Sequence, residues 1–189
     1  MNNLSFSRRG FILSSVALAA CGTDLGNNGI ASKSAQTIDG RVDAMRSYLQ
    51  GQFPGTANLE QQAAGVLYMP LLTEAGFGIG GGYGRGALRI KGATVDYYAA
   101  TRASFGLQIG AQQYAHVLYF MNDVALSEFR RGSGWAAGAD LRYATPTSGA
   151  TIGKDTTELT APVEAFVFGQ QGLIVGATLS GLKYSRIIP

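Results

Sequence analysis

The stretch AGFGIGGGYGRGALRI, residues 75–90, carries six glycines before Arg85 and contains the spacing G-x-G-x-x-G at Gly76, Gly78 and Gly81. Two unlike structures share that spacing. In a dinucleotide-binding fold it joins a strand to a helix whose N-terminus receives the pyrophosphate. Within a sheet, repeated glycines allow strong curvature or the close approach of another chain segment. The residues after the glycines decide between the two. Tyr83, Arg85, Ala87, Arg89 and Lys91 alternate with Gly84, Gly86, Leu88 and Ile90, which is a strand period and not a helical one. No acidic residue stands at the distance a ribose contact needs, and the chain has no G-K-[ST]. The glycines therefore belong to a bent strand.

Downstream, β-branched and aromatic residues interspersed with glycine dominate ALRIKGATVDYYAA, FGLQIGAQQYAHVLYFM, WAAGADLRYAT, PVEAFVFGQQGLIVGATLSG and LKYSRII. Short turns at Lys91-Gly92-Ala93 and Gly169-Gln170-Gln171-Gly172 predict antiparallel hairpins. Residues 123–131, DVALSEFRR, break the pattern with a helical one, with Asp123 as the expected N-terminal cap and Gly132 after the end. Upstream, Ile38, Val42, Met45, Leu49 and Phe53 recur at spacings of three and four, so residues 37–53 read as an amphipathic helix that Pro54-Gly55 ends. A short helix capped by Thr56 and stopped by Gly65 precedes GVLYMP, the first strand. The expected class is α+β: a curved, barrel-like, largely antiparallel glycine-rich sheet with N-terminal amphipathic helices and one further helix.

The first twenty residues read as an address. Arg8 and Arg9 precede the apolar run FILSSVALAA, too short to span a membrane as a helix. Ser7-Arg8-Arg9-Gly10-Phe11-Ile12 is close to the twin-arginine export pattern. Leu18-Ala19-Ala20-Cys21 looks like a bacterial lipobox, which would make the acylated Cys21 the first mature residue. Residues 21–36 are small and polar, the composition of a tether, and residues 37–189 fit one domain. Cys21 is the only cysteine, so no disulfide forms within the chain. The chain carries 15 basic and 12 acidic residues; losing Arg8 and Arg9 leaves 13 against 12, a net charge of +1. That balance argues against a nucleic-acid partner, which calls for a concentrated basic surplus.

Four blocks, AGFGIGGGYGRGAL, ASFGLQIGAQQY, FMNDVALSEFRRGSGW and PVEAFVFGQQGLIVGATLSGLKYSRI, stand in an order and separation that resemble the SYLF lipid-binding domain. In yeast members the same module is called an actin-binding domain. The likeness extends over about residues 38–188. It implies a non-enzymatic module that binds anionic phospholipids, with phosphoinositide or phosphatidic-acid headgroups, and an N-terminal amphipathic helix that contributes to membrane contact. Bacterial relatives are often exported lipoproteins. Actin binding has no counterpart in a bacterial envelope and is not carried over.

Arg85, Arg89 and Lys91 share a parity on one strand and would project from one face, where three cations could meet phosphate oxygens. The plainer reading is a solvated outer face. Arg41 and Arg46 lie on the first helix, whose apolar side either inserts at a membrane interface or covers the sheet, packing being the commoner fate. Arg130 and Arg131 close the third helix, where its dipole accounts for them. His116, the only histidine, reads as structural, and Glu158 and Glu164 flank a strand start without a companion group that would suggest a substrate. One histidine and one acylated cysteine leave no expected metal site, and no catalytic residue or cofactor is expected.

Two classes of function are compatible with these residues. One is an envelope lipoprotein, tethered through Cys21 and facing the periplasm, whose domain binds anionic lipid. The other is a structural or partner-binding lipoprotein whose only lipid contact is its anchor. Gly22, rather than aspartate, after the cysteine points to the outer membrane by the sorting rule of enteric bacteria.

Overall fold

The computed structural model describes residues 30–132, 134–137, 141–143, 161–169, 172–173 and 179–189. The expected export signal with Arg8 and Arg9, the expected lipidation site Cys21, Glu158 and the expected Gln170-Gln171 turn lie outside the described residues. Residues 31–189 form one compact unit.

Helix α1 runs Ile30–Gln52 and helix α2 Gly55–Gln62. The first helix thus begins within the segment expected to be a tether and before residue 37. Strands β1 (Gly65–Ile90) and β2 (Ala93–Phe120) form one long antiparallel hairpin. Helix α3 (Asp123–Arg131) comes next, then β3 (Trp135–Ala136), β4 (Leu141–Tyr143), β5 (Val163–Gly169), β6 (Gly172–Leu173) and β7 (Lys183–Ile187). Strand β2 is the hub: β1 pairs along it, β5 pairs with its C-terminal part and β7 with residues 97–101. All pairings are antiparallel except β4 with β5. Among the described residues the result is an α+β fold with a curled half-barrel sheet of seven strands and three helices.

Around the start of β1, the end of β2 and β5 both faces of the sheet are buried, and the alternation of side chains sorts them. Val66, Tyr68, Val117, Tyr119, Phe166 and Phe168 face α1 and α2, which contribute Ile38, Val42, Met45, Leu49 and Leu59. Their neighbours Leu67, Met69, Leu118, Phe120, Ala165 and Val167 face the opposite way, onto Leu126 and Phe129 of α3 and onto Tyr184. Burial on both faces explains why these strands read as nearly continuous apolar runs.

The β1/β2 turn is tight because Lys91 (φ 51°) and Gly92 (φ 80°) both adopt left-handed backbone, as a two-residue primed turn requires. Register shifts interrupt the ladder at Met69/Leu72, Phe77/Gly78 and Leu88/Arg89. The first places Pro70, which has no N–H to donate, where the ladder is already broken. These irregularities let the two halves of β1 approach each other. A Cβ on Gly84 would meet the Leu71 carbonyl oxygen at 2.5 Å, and one on Gly86 would overlap the Tyr68 carbonyl. Gly84 and Gly86 thus serve close backbone approach within a sheet.

Two local assignments are corrected. The cap of α3 is Asn122, whose side chain accepts a hydrogen bond from the Ala125 N–H at 2.8 Å, and Asp123 is the first helical residue. For α2 the capping position is Pro54, and the Thr56 hydroxyl donates to the Phe53 carbonyl at 2.7 Å. Asp123 still sits favourably in the first turn of α3, beside the positive end of its dipole.

Candidate functional site

Helix α1 lies across the face of β1 that carries Arg85, Ala87 and Arg89, and polar contacts fix it there. Arg89 is buried and ion-paired to Asp43 at 2.7 Å, with its Nε 3.4 Å from the Thr94 hydroxyl. One turn earlier on α1, Asp39 accepts hydrogen bonds from Thr94 and Tyr97, both at 2.8 Å. Burial, then the bond to Asp39, push the Tyr97 phenol up to about 12. Further along, Arg46 pairs with Glu60 of α2 at 2.8 Å, and Gln50 donates to the same carboxylate. The apolar side of α1 is therefore committed to the sheet, with Ile38, Val42, Met45 and Leu49 all buried.

The five candidate cations separate on this geometry. Arg89 is covered by α1 and so does not lie on a solvated outer face. Lys91 has left the strand for the turn, so the expected row of three cations on one face does not form. Arg46 is engaged by Glu60. The structure brings the remaining two together. Arg41 from α1 and Arg85 from β1 line one groove of about 540 Å³, bounded by the N-terminal half of α1 and by the crease where residues 70–75 and 81–85 of β1 meet. Arg85 donates to the Ser34 hydroxyl at 3.3 Å. Among the described residues, carboxylates pair with Arg46, Arg89, Arg102, Arg130 and Arg186, whereas neither groove arginine has one. Leu71, pushed outward at the Pro70 irregularity, and Tyr83 are exposed large apolar side chains on the same groove.

Two features escape the sequence pattern. Ser34 and Thr37 line the groove, although Ser34 falls in the segment whose composition reads as tether. Glu74 carries no local signal, yet on the opposite face of the sheet it receives the Tyr114 hydroxyl at 2.6 Å, the Gln112 amide at 2.8 Å and the Arg102 guanidinium at 2.9 Å. Burial alone would raise its pKa; those hydrogen bonds and the Arg102 charge outweigh it and hold the carboxyl below its usual range. Arg102 also donates to the Ser180 carbonyl, so the cluster ties the hairpin to the segment before β7. His116 is fully buried, its Nε2 lies 2.8 Å from the Tyr184 hydroxyl, and burial pushes its pKa down to about 3. Arg130 pairs with Asp96 at 3.1 Å, a partner beyond the helix dipole.

Comparison with protein families converges with the sheet. Residues 101–186 match the model of the Ysc84 family, described as Las17-binding protein actin regulator. That segment matches as a Ysc84 (SYLF) domain. The SYLF match begins at Thr101 and covers the C-terminal part of β2 and everything through Arg186 in β7. The blocks beginning at Ala103, Phe120 and Pro162 fall within it, the last save for Ile187, whereas the glycine-rich block and the two N-terminal helices precede it. No curated protein matches the chain.

Proposed function

We propose that this protein is a non-enzymatic, membrane-tethered lipoprotein of the bacterial envelope whose SYLF domain binds anionic phospholipids of phosphatidic-acid or phosphoinositide type. The observation that carries the reading is the groove in which Arg41 and Arg85, without carboxylate partners among the described residues, stand beside exposed Leu71 and Tyr83. Unneutralised arginines beside exposed apolar groups suit a phosphate at a lipid interface. The twin-arginine motif at Arg8 and Arg9 and the lipobox ending at Cys21 support export and acylation, and Gly22 supports an outer-membrane address. Because α1 spends its apolar side on the sheet, contact is assigned to the groove and not to insertion of that helix.

The test is sedimentation of the full chain carrying Cys21→Ser, which removes the acyl anchor, with neutral vesicles and with vesicles containing phosphatidic acid or phosphoinositide. Salt-sensitive binding to the anionic vesicles, lost in Arg41→Gln/Arg85→Gln and kept in Arg131→Gln, is expected. Absence of binding at low salt would discard the reading and turn attention to protein partners of a structural lipoprotein.

A further inference from the structure

We propose that the groove between α1 and the crease of β1 takes one phosphate-bearing amphiphile at a time, its anionic group between Arg41 and Arg85 and its apolar portion against Leu71 and Tyr83. This rests on the anionic-lipid reading above and replaces a diffuse membrane surface with a discrete site.

Four observations carry it. First, the two cations come from different elements, α1 and β1, and line the same groove, so one ligand in it can meet both. Second, the helix wall is fixed: Asp39 and Asp43, the acids flanking Arg41, are held by Thr94, Tyr97 and Arg89. The backbone that carries Arg41 is thereby fixed with respect to β1 before any ligand arrives, which lowers the ordering cost of binding. Third, the Ser34 hydroxyl accepts from Arg85 and keeps its own proton available to a phosphate oxygen, while Thr73 brings a second hydroxyl to the groove. Fourth, the volume of about 540 Å³ is far more than one phosphate fills, and lies within the roughly 300–1,000 Å³ of sites that enclose a small organic ligand. Inorganic phosphate would leave the wall at Leu71 and Tyr83 uncovered, with 38% and 54% of their surface exposed. An apolar molecule would leave two arginines unanswered. A single molecule that carries both characters satisfies both walls.

The experiment is calorimetric titration of the full chain bearing Cys21→Ser with dihexanoyl phosphatidic acid below its micelle concentration, with dihexanoyl phosphatidylcholine, and with inorganic phosphate. Saturable binding of one phosphatidic acid per chain is expected, weakened about tenfold or more by Arg41→Gln and by Arg85→Gln, each of which removes a charge-assisted hydrogen bond. Ala75→Trp, which places a bulky ring among the groove's lining residues and leaves both arginines in place, should weaken it, and the two arginine variants carry the test if that one fails to fold. Binding to phosphatidic-acid vesicles without binding to the monomer would overturn the discrete site and leave the membrane reading standing. Failure with vesicles and monomer alike would overturn both. Inorganic phosphate binding as tightly as the short lipid would overturn the amphiphile in favour of a free-anion site, and equal binding of phosphatidylcholine would remove the arginines' role.

Discussion

The backbone of Gly86 in the second half of β1 packs against the carbonyl of Tyr68 in the first half, with no space between them for a methyl group. Two segments of one strand can make that contact only where a side chain is absent. Gly86→Ala should therefore force the halves apart and destabilise the fold by roughly 1–3 kcal/mol, the usual cost of overpacking. At Gly81 the nearest atom to an added Cβ is the Arg102 carbonyl oxygen at 3.5 Å, an ordinary contact. Gly81→Ala should be neutral or slightly stabilising, within about 1 kcal/mol, because it restricts the unfolded chain. Urea unfolding of the two variants checks the contrast, and equal behaviour would show that the crease is not a packing constraint.

Arg89 and Asp43 form an unequal pair, the guanidinium 9% exposed and the carboxylate 64%. Solvent screens the attraction, so the pair itself contributes modestly. Removing only the carboxylate is worse, because it leaves a buried charge with little beyond the Thr94 hydroxyl. Asp43→Asn should cost about 1–2 kcal/mol, and adding Arg89→Met should recover part of it. A double-mutant cycle by thermal unfolding measures this coupling. Vesicle binding by Arg89→Met should match the parent chain, since Arg89 lies under α1 and outside the groove.

The periodicity that reveals α1 and the long hairpin also conceals the site. Spacing shows that Ile38, Val42, Met45 and Leu49 share one side, and their burial against the sheet agrees with it. It likewise places Arg85 and Arg89 on one face of β1. What parity does not carry is how far a neighbouring helix reaches, and α1 covers Arg89 while leaving Arg85 at its edge. Lys91 departs from the expected row for a different reason: the Lys-Gly turn takes it into left-handed backbone and off the strand. The groove joins residues 34–41 to residues 70–85, a long-range meeting made by the bend of β1, and no local signal announces it. Composition misleads once, since the small polar residues before 37 resemble a tether but continue the helix from Ile30.

Asn122 and Asp123 are adjacent candidates for the same cap, and the geometry assigns it to Asn122 through the Ala125 N–H. Asn122→Ala should cost about 1 kcal/mol by leaving that amide unpaired. Asp123→Ala loses only a favourable charge in the first turn, roughly 0.3–1 kcal/mol, and less at high salt. Chemical unfolding at two salt concentrations separates them: the Asn122 effect should be unchanged by salt and the Asp123 effect should shrink.

His116 makes stability depend on pH. In the unfolded chain its ring takes up a proton near its ordinary value of 6.5, whereas in the fold burial holds it neutral down to about 3. Between those values the unfolded state binds more protons than the folded one, so stability falls as pH falls through that window and is fully present only above about 6.5. At pH 5 the loss relative to pH 7.5 should be about 2 kcal/mol, from about 1.36 kcal/mol per pH unit over the interval below 6.5. Glu74, whose carboxyl is held below its usual range, loses its contribution only at lower pH, so this window isolates the histidine. Urea unfolding at pH 5 and 7.5 should show the difference in the parent chain and not in His116→Phe, even if that variant is less stable at both, because it gives up the Tyr184 contact at 2.8 Å. A slope that survives the substitution would place the proton uptake on another group and leave His116 a packing residue without linkage.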